Sequence, residues 1–325
     1  MSRPDPFQKS KHIDQVMEAV EDGSVAAKSA IAASWNRSVR LHGLNPSKAA
    51  TEQSFSAAEL SERRDRAGRL LMISTPTIDR LYTTMRLAGC SIVLCDADGV
   101  ILENRRSDAD AGEFDKAGLS IGTDWSEETQ GTNGIGTCIA EGRLTTILRD
   151  QHFRADNIGM SCFGAPIFNS RGELQAVLDV STCREQLDPA LQALIEQNVL
   201  EAAIRIETDH FCDEYADFRI VQARPAELNA PALLAVDPND LVVGATRAAR
   251  RSLGLPMDGD PKPVPAAELI GDAAARGTGL ENAERRELRR AIASADGNMS
   301  AAARLLGVSR ATLYRRAAKL GLVTD

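Results

Sequence analysis

MSAAARLLGVSRATLYRR, residues 299–316, reads as two short helices joined by a tight turn. Ser300 stands as an N-cap before an Ala/Leu helix. Gly307 supplies the positive φ that ends it, and Ser309 is a second N-cap two residues later. Helices joined this tightly pack at a steep angle, and the second projects outward. From Ser309 to Leu320 the second helix carries Arg310, Arg315, Arg316 and Lys319 and no acid. Such a helix suits the major groove of double-stranded DNA, where Arg reads guanine and its neighbours clamp phosphate. Ser300, Ser309, Arg310, Thr312, Tyr314, Arg315, Arg316 and Lys319 are the candidate DNA-contacting residues. The competing reading is a solvated basic face on a helical cap. The coincidence of cap, turn and charge favours DNA.

The stretch from Glu287 to Leu322, ELRRAIASADGNMSAAARLLGVSRATLYRRAAKLGL, resembles the Fis-type helix-turn-helix that ends many bacterial enhancer-binding regulators. The resemblance implies a longer first helix that pairs two subunits. Here Glu281 to Ala295 takes that place, with Leu288 and Ile292 on one face at i, i+4 spacing.

Charge is divided unevenly. The chain of 325 residues has a net charge of −8, yet residues 281–325 hold nine Lys/Arg against five Asp/Glu, leaving an acidic body of −12 and a basic tail of +4. That asymmetry fits a sensor joined to a DNA reader, with modest, salt-sensitive non-specific affinity for DNA. The length allows two or three domains. No apolar run reaches transmembrane length and the start, MSRPDPFQKSKHID, is polar, so a cytoplasmic protein without a membrane partner is expected. The six Cys form no CxxC pair and the four His form no zinc-type cluster. The cysteines are therefore expected to be reduced and mostly buried, with no metal and no cofactor.

Residues 1–24 read as flexible or weakly helical. Helical spacing follows over 26–41, and a longer helix or pair over 56–87. The period then changes to that of strands. Ser91–Asp96 and Val100–Glu103 flank an Asp98-Gly99 turn, Thr145–Leu148 is a strand, and Cys162–Phe168 with Leu174–Val180 flank an Asn169–Gly172 turn. Asp188 caps a helix with Pro189 at its first position, running to about Phe211. Residues 216–255 read strand, Asp-Pro-Asn-Asp turn, strand, helix. The Pro- and Gly-rich stretch 256–280 reads as a linker.

The segment 124–181, DWSEETQGTNGIGTCIAEGRLTTI…HF…MSCFGAPIFNSRGELQAVLDVS, resembles the GAF domain of the acetoin-catabolism regulator (AcoR) family. Ser34-Trp35 with HGLNP behind it, and ERRDRAGRLLMIS…LYTTM, resemble the N-terminal part of the same family. The likeness covers roughly 25–210, and the stretch 216–255 resembles the front of a PAS-like domain. The resemblance implies an α+β chain with a GAF-type antiparallel sheet flanked by helices, a partial PAS-like segment and an all-α C-terminal helix-turn-helix. The domain plan is then helices over 25–87, a sensor with its signalling helix over 88–211, a PAS-like segment over 212–255, a linker, and the reader over 281–325.

One departure bears on mechanism. Full-length members of that family carry an ATPase that remodels polymerase and needs a P-loop ending Gly-Lys-Ser/Thr. No Gly-Lys dipeptide occurs in this chain. The expected protein is a sequence-specific transcription regulator and not an enzyme. It acts as a homodimer on double-stranded DNA, with RNA polymerase a further partner. Its effector would be a small metabolite such as a ketone, diol or hydroxyketone. Trp125, Thr132, Asn133, Gly134, Thr137, His152 and Cys162 are the candidate pocket residues: an apolar wall, hydrogen-bonding groups and a titratable ring, with glycine letting backbone approach a ligand. Structural roles compete at each of them. The alternatives are a thiol redox enzyme or sensor using the pocket cysteines, and a ligand-free architectural or competitor DNA-binding protein.

Overall fold

A computed structural model describes residues 5–22, 29–48, 54–223, 230–261, 264–270, 280–295 and 297–322. The chain divides into two compact units, Met1–Pro263 and Val264–Asp325.

The first unit opens with α1 (Pro6–Glu21). The N-terminal stretch expected to be flexible is therefore largely helical. Asp5 caps α1, Gln8 returns to the Asp5 N–H to complete a capping box, and Pro6 starts the first turn. His12, Val16 and Val20 form its buried stripe, and Val16 and Val20 share a small core with Trp35 and Phe153. The stripe is narrow and has a histidine in it, which is why the sequence pattern looked weak. Next come α2 (Ala30–Arg40), capped by Ser29, then α3 (Ala57–Arg66) and α4 (Gly68–Met85). The long helical stretch is thus a pair, broken at Ala67.

A five-stranded antiparallel sheet follows, with β1 (Cys90–Asp96), β2 (Ile101–Arg105), β3 (Thr145–Leu148), β4 (Ser161–Phe168) and β5 (Leu174–Thr182) in the order β2-β1-β5-β4-β3. Between β2 and β3 lie α5 (Asp108–Lys116), α6 (Glu127–Gln130) and α7 (Gly134–Glu141). After β5 comes α8 (Pro189–Glu214), capped by Asp188 as the sequence suggests and three residues longer than expected. Side chains alternate across a strand, so β5 feeds two cores. Ala176, Leu178 and Val180 face a core shared with α4 and α8, built on Ile78, Leu81, Ile195, Val199 and Ile206. The other face of the sheet carries Val93, Cys95 and Cys162, packed with Phe114, Trp125 and Ile135. Asp179 and Ser181 point to that second face.

Beyond α8, β6 (Arg219–Gln222), β7 (Leu233–Val236) and β8 (Leu241–Ala245) pair antiparallel in succession and lead into α9 (Arg247–Leu253). The strand-turn-strand-helix pattern is present, with β6 an additional strand. The expected linker is not a free tether over its first part. Arg250, fully buried on α9, donates to the carbonyls of Pro256 (2.7 Å) and Gly259 (2.8 Å). Residues 271–279 of that stretch lie outside the described residues.

The second unit contains α10 (Ala266–Ile270), α11 (Leu280–Ser294), α12 (Met299–Leu305) and α13 (Arg310–Lys319). Leu288, Ala291, Met299, Ala302, Ala303, Leu313, Ala317 and Leu320 make one small core. Leu288 is thus spent inside this unit rather than standing free to pair with another subunit, and Ile292 packs against the same core. The N-cap of α12 is Asn298, not Ser300. The Asn298 side chain accepts from the Ser300 and Ala301 N–H groups, and Ser300 sits inside the first turn. Gly307, at φ +64°, ends α12, with the Val308 N–H reaching back to the Ala303 carbonyl. Among the described residues no helix is long and apolar enough to cross a membrane.

Candidate functional site

Among the described residues, two places gather the residues that carry chemistry, one in each unit. In the second unit, Ser309 caps α13 by accepting from the Thr312 N–H at 3.1 Å. At 100° per residue, burial of Leu313, Ala317 and Leu320 turns Ala311, Arg315 and Ala318 directly outward. Small residues on either side leave the Arg315 guanidinium unobstructed. Arg310 and Arg316 flank this face rather than centre it. The Arg310 guanidinium lies 5.6 Å from the Tyr314 ring centroid, and Arg316 pairs with Glu284 of α11 at 3.1 Å. Tyr314, Arg315 and Lys319 are exposed and Thr312 is half-buried. The outward groups of α13 are cationic or neutral, and Ser300 is exposed on α12.

In the first unit, the glycine-rich loop and α7 lie against the sheet. Asn133 caps α7, accepting from the Ile135 and Gly136 N–H groups at 2.9 Å, while its amide donates to the carbonyls of Trp125 (3.0 Å) and Gly131 (2.8 Å). Trp125 donates to the Gly118 carbonyl at 3.0 Å. Thr132 and Thr137 meet α2, with Ser34 Oγ 2.7 Å from Thr132 Oγ1 and 3.3 Å from Thr137 Oγ1, and Thr137 donates to Glu127 of α6 at 3.0 Å. Ser34 also donates to Glu127, and Arg37 grips the same carboxylate with two bonds of 2.8 and 3.1 Å. That carboxylate holds the Arg37 guanidinium above its ordinary value. Trp125, Thr132, Asn133 and Thr137 are therefore saturated within the protein and build the frame. Gly134 serves close packing: a Cβ there would fall 2.5 Å from Cys162 Cβ and 2.7 Å from Asp179 Oδ1.

Beneath that glycine runs a buried polar chain. His152 Nδ1 lies 2.9 Å from the Arg149 carbonyl oxygen, which places the ring proton on Nδ1. Nε2 is then an acceptor, 3.3 Å from Cys162 Sγ, and takes the thiol hydrogen. Burial pushes His152 down to about 4, so the ring is neutral. Ser181 Oγ stands 3.1 Å from Cys162 Sγ and 2.5 Å from Asp179 Oδ2. Its single proton goes to the carboxylate. Burial raises Asp179 to about 6 and Ser181 lowers it in part. Asp179 Oδ1 is buried and has no hydrogen-bond partner among the described residues.

The chain joins His152 and Cys162, both expected in a pocket, to Asp179 and Ser181. An acid inside the apolar run LQAVLDVS was the available signal for Asp179. Four of the six cysteines are buried where a thiolate is disfavoured. Burial pushes the thiols of Cys90, Cys95, Cys138 and Cys162 up, Cys90 to about 11. Among the described residues no group of His, Cys, Asp and Glu has the arrangement of a metal site.

The model of the MimR N-terminal domain matches residues 6–202, and that of the bacterial regulatory protein, Fis family, matches residues 279–320. The acetoin catabolism regulatory protein of Cupriavidus necator is 30% identical over 280 residues, covering 82% of this chain and 41% of the relative. The propane 2-monooxygenase operon transcriptional activator MimR of Mycolicibacterium smegmatis is 29% identical over 187 residues, covering 56% of this chain and 30% of the relative. The chain thus spans about two fifths or less of the length of these relatives. A chain of the solved E. coli DhaR(N)–DhaL complex superposes with a TM-score of 0.50 at 18% identity, covering 71% of this chain and 78% of that chain, which is a likeness of fold.

Proposed function

We propose, for a chain that belongs to the family of the MimR N-terminal domain and ends in a Fis-family helix-turn-helix, that it is a transcription regulator whose output is DNA occupancy governed by a small effector. The first unit senses; the second reads. No Gly-Lys dipeptide occurs in the chain, so DNA binding rather than ATP-driven remodelling carries the signal. RNA polymerase is a partner at the promoter rather than a substrate of this chain.

The observation that carries the reading is α13. Its cap, its outward Arg315 and its acid-free face form a major-groove probe on a core of its own. A homodimer would place two such helices on half-sites about one helical turn apart. An effector with unequal affinity for two states of the sensor shifts the population and hence operator affinity, and DNA must shift effector affinity by the same factor. The buried, high-pKa cysteines weigh against a thiol enzyme.

The test is fluorescence anisotropy of the full chain on duplexes tiled across the region upstream of its own operon. The full chain is needed because α1 packs on the loop that holds Phe153. A saturable complex on one duplex, weakened in Arg315→Ala, supports the reading. Equal affinity for all duplexes in both proteins overturns it. A thermal-shift screen of small ketones, diols and hydroxyketones then identifies the effector by mass action.

A further inference from the structure

Asp179 stands at the centre of the inner sheet. Its register partners are Val93 on β1 and Gly164 on β4. Around it the side chains are small: Cys95, Cys138, Cys162 and the two glycines Gly134 and Gly164. A Cβ on Gly164 would strike the Gly134 carbonyl oxygen at 2.3 Å, so α7 rests directly on the strands. Among the described residues no cation lies beside this carboxylate. Ser181 satisfies Oδ2, and Oδ1 faces Gly134 with nothing to accept from. Buried acceptors are almost always satisfied in folded proteins, and one left open calls for a functional explanation. Leu or Val at this position would extend the apolar core at no such cost.

We propose that Asp179 Oδ1 is the anchor of the effector site, taking a hydrogen bond from a small, non-anionic molecule that bears an O–H or N–H donor. This rests on the sensor reading above and narrows it. A plain ketone has only an acceptor to offer and leaves Oδ1 unmet. An anion is repelled by the carboxylate. His152, neutral and with its Nδ1 proton committed to Arg149, supplies no charge to offset that repulsion. The His152–Cys162 bond commits the thiol hydrogen to the ring, so Cys162 does not supply a donor to Oδ1. The first turn of α7 covers Oδ1 through Gly134, so in this proposal the ligand enters by displacing that turn from the strands.

The test compares three molecules of equal carbon number on the full chain: propylene glycol, acetone and propionate, each at about 50 mM, read by thermal shift and calorimetry. Propylene glycol raises the melting temperature of the native protein; acetone and propionate do not. Asp179→Asn weakens glycol binding at least about tenfold, with a cooperative melting transition in the absence of ligand as the check on folding. Ser181→Ala, which leaves Oδ1 in place, keeps the preference for the glycol. Acetone or propionate binding as well as the glycol, undiminished glycol binding by Asp179→Asn, or no response to any of the three overturns the assignment. In the first two of these outcomes a ligand still binds, so the sensor reading survives; loss of sequence-specific DNA binding by the native chain would sink that reading instead.

Discussion

The Arg250 guanidinium of α9 donates to the Ser170 carbonyl, at the tip of the β4–β5 hairpin, over 2.7 Å. Its remaining hydrogen bonds go to the carbonyls of Ala245, Pro256 and Gly259. All four acceptors are neutral backbone oxygens, so this buried cation acts as a multidentate clamp, with no ion-pair partner among the described residues. Burial without a paired carboxylate lowers its pKa from the ordinary value. Arg250→Met strands those carbonyls away from water and is expected to cost about 3 kcal/mol. Arg250→Lys, with the charge but without the planar fork, recovers less than half. Urea midpoints measure the cost, and hydrogen exchange over residues 256–260 should rise in step with it. Unchanged exchange there would mean that the segment is held by other contacts.

On α13, Arg315 and Arg316 are neighbours in sequence and unequal in place. Arg315→Ala is expected to cost about 1–3 kcal/mol and to relax specificity at one base pair. Arg316 spends its charge on Glu284. Arg316→Ala should therefore weaken binding less and equally across sequences, while Glu284→Gln frees the arginine and strengthens non-specific binding. Anisotropy titrations across a salt series separate the cases. Larger, sequence-dependent losses from Arg316→Ala than from Arg315→Ala would reverse the assignment.

Gly134→Ala tests the contact of α7 with the sheet. The added methyl lands 2.5 Å from Cys162 Cβ, on an element held at both ends by Asn133 and Gly142. Overpacking of this kind is expected to cost about 2 kcal/mol. Thermal denaturation at neutral pH measures it. A neutral substitution would show that α7 rides loosely on β4.

Asp179 and His152 pull the pH dependence of stability in opposite directions. Asp179 is raised to about 6 from 3.8. Its ionisation costs the folded state about 3 kcal/mol at neutral pH, and that stability returns as pH falls through about 6. His152 is lowered to about 4 from 6.5. Its cost, also about 3 kcal/mol, accumulates as pH falls from about 6.5 to 4. The two nearly cancel between about pH 4 and 6. Asp179→Asn should be more stable than the native chain at neutral pH and should lose that advantage towards acid. Glu207, raised to about 7 by burial, and His12, lowered by burial, titrate in both proteins and drop out of the difference. A stability difference that is constant from about pH 7 to 4 would show that Asp179 is not the group responsible.

Much of this architecture was legible because local chemistry and fold agree. Ser309 and Gly307 mark the turn of the helix-turn-helix, Asp188-Pro189 marks the start of α8, and Asn169–Gly172 marks the β4–β5 hairpin. Other features depend on partners distant in sequence. His12, Val16 and Val20 look like a weak stripe until Trp35 and Phe153 are brought against it. Arg250 lies in a run of basic residues that reads as a solvated face, and only the fold surrounds it with carbonyls. Thr132, Asn133 and Thr137 have the composition of ligand contacts, but the N-terminal helix α2 and the loop itself use up their hydrogen-bonding capacity. Asp179 shows the converse: its place in an apolar strand was visible, while its open oxygen emerges only from the three-dimensional arrangement.

Gly172 closes the β4–β5 hairpin at φ +80°, and a Cβ there would fall 1.8 Å from the Met257 carbonyl oxygen. No side chain fits without lifting the segment that follows α9 off the hairpin. A single-codon change at this turn would therefore split the body of the protein along one seam, leaving both sheets intact and the inner acid untouched. The fold thus concentrates its tolerance of mutation unevenly: a surface turn, ordinarily the most forgiving place on a protein, is here among the least.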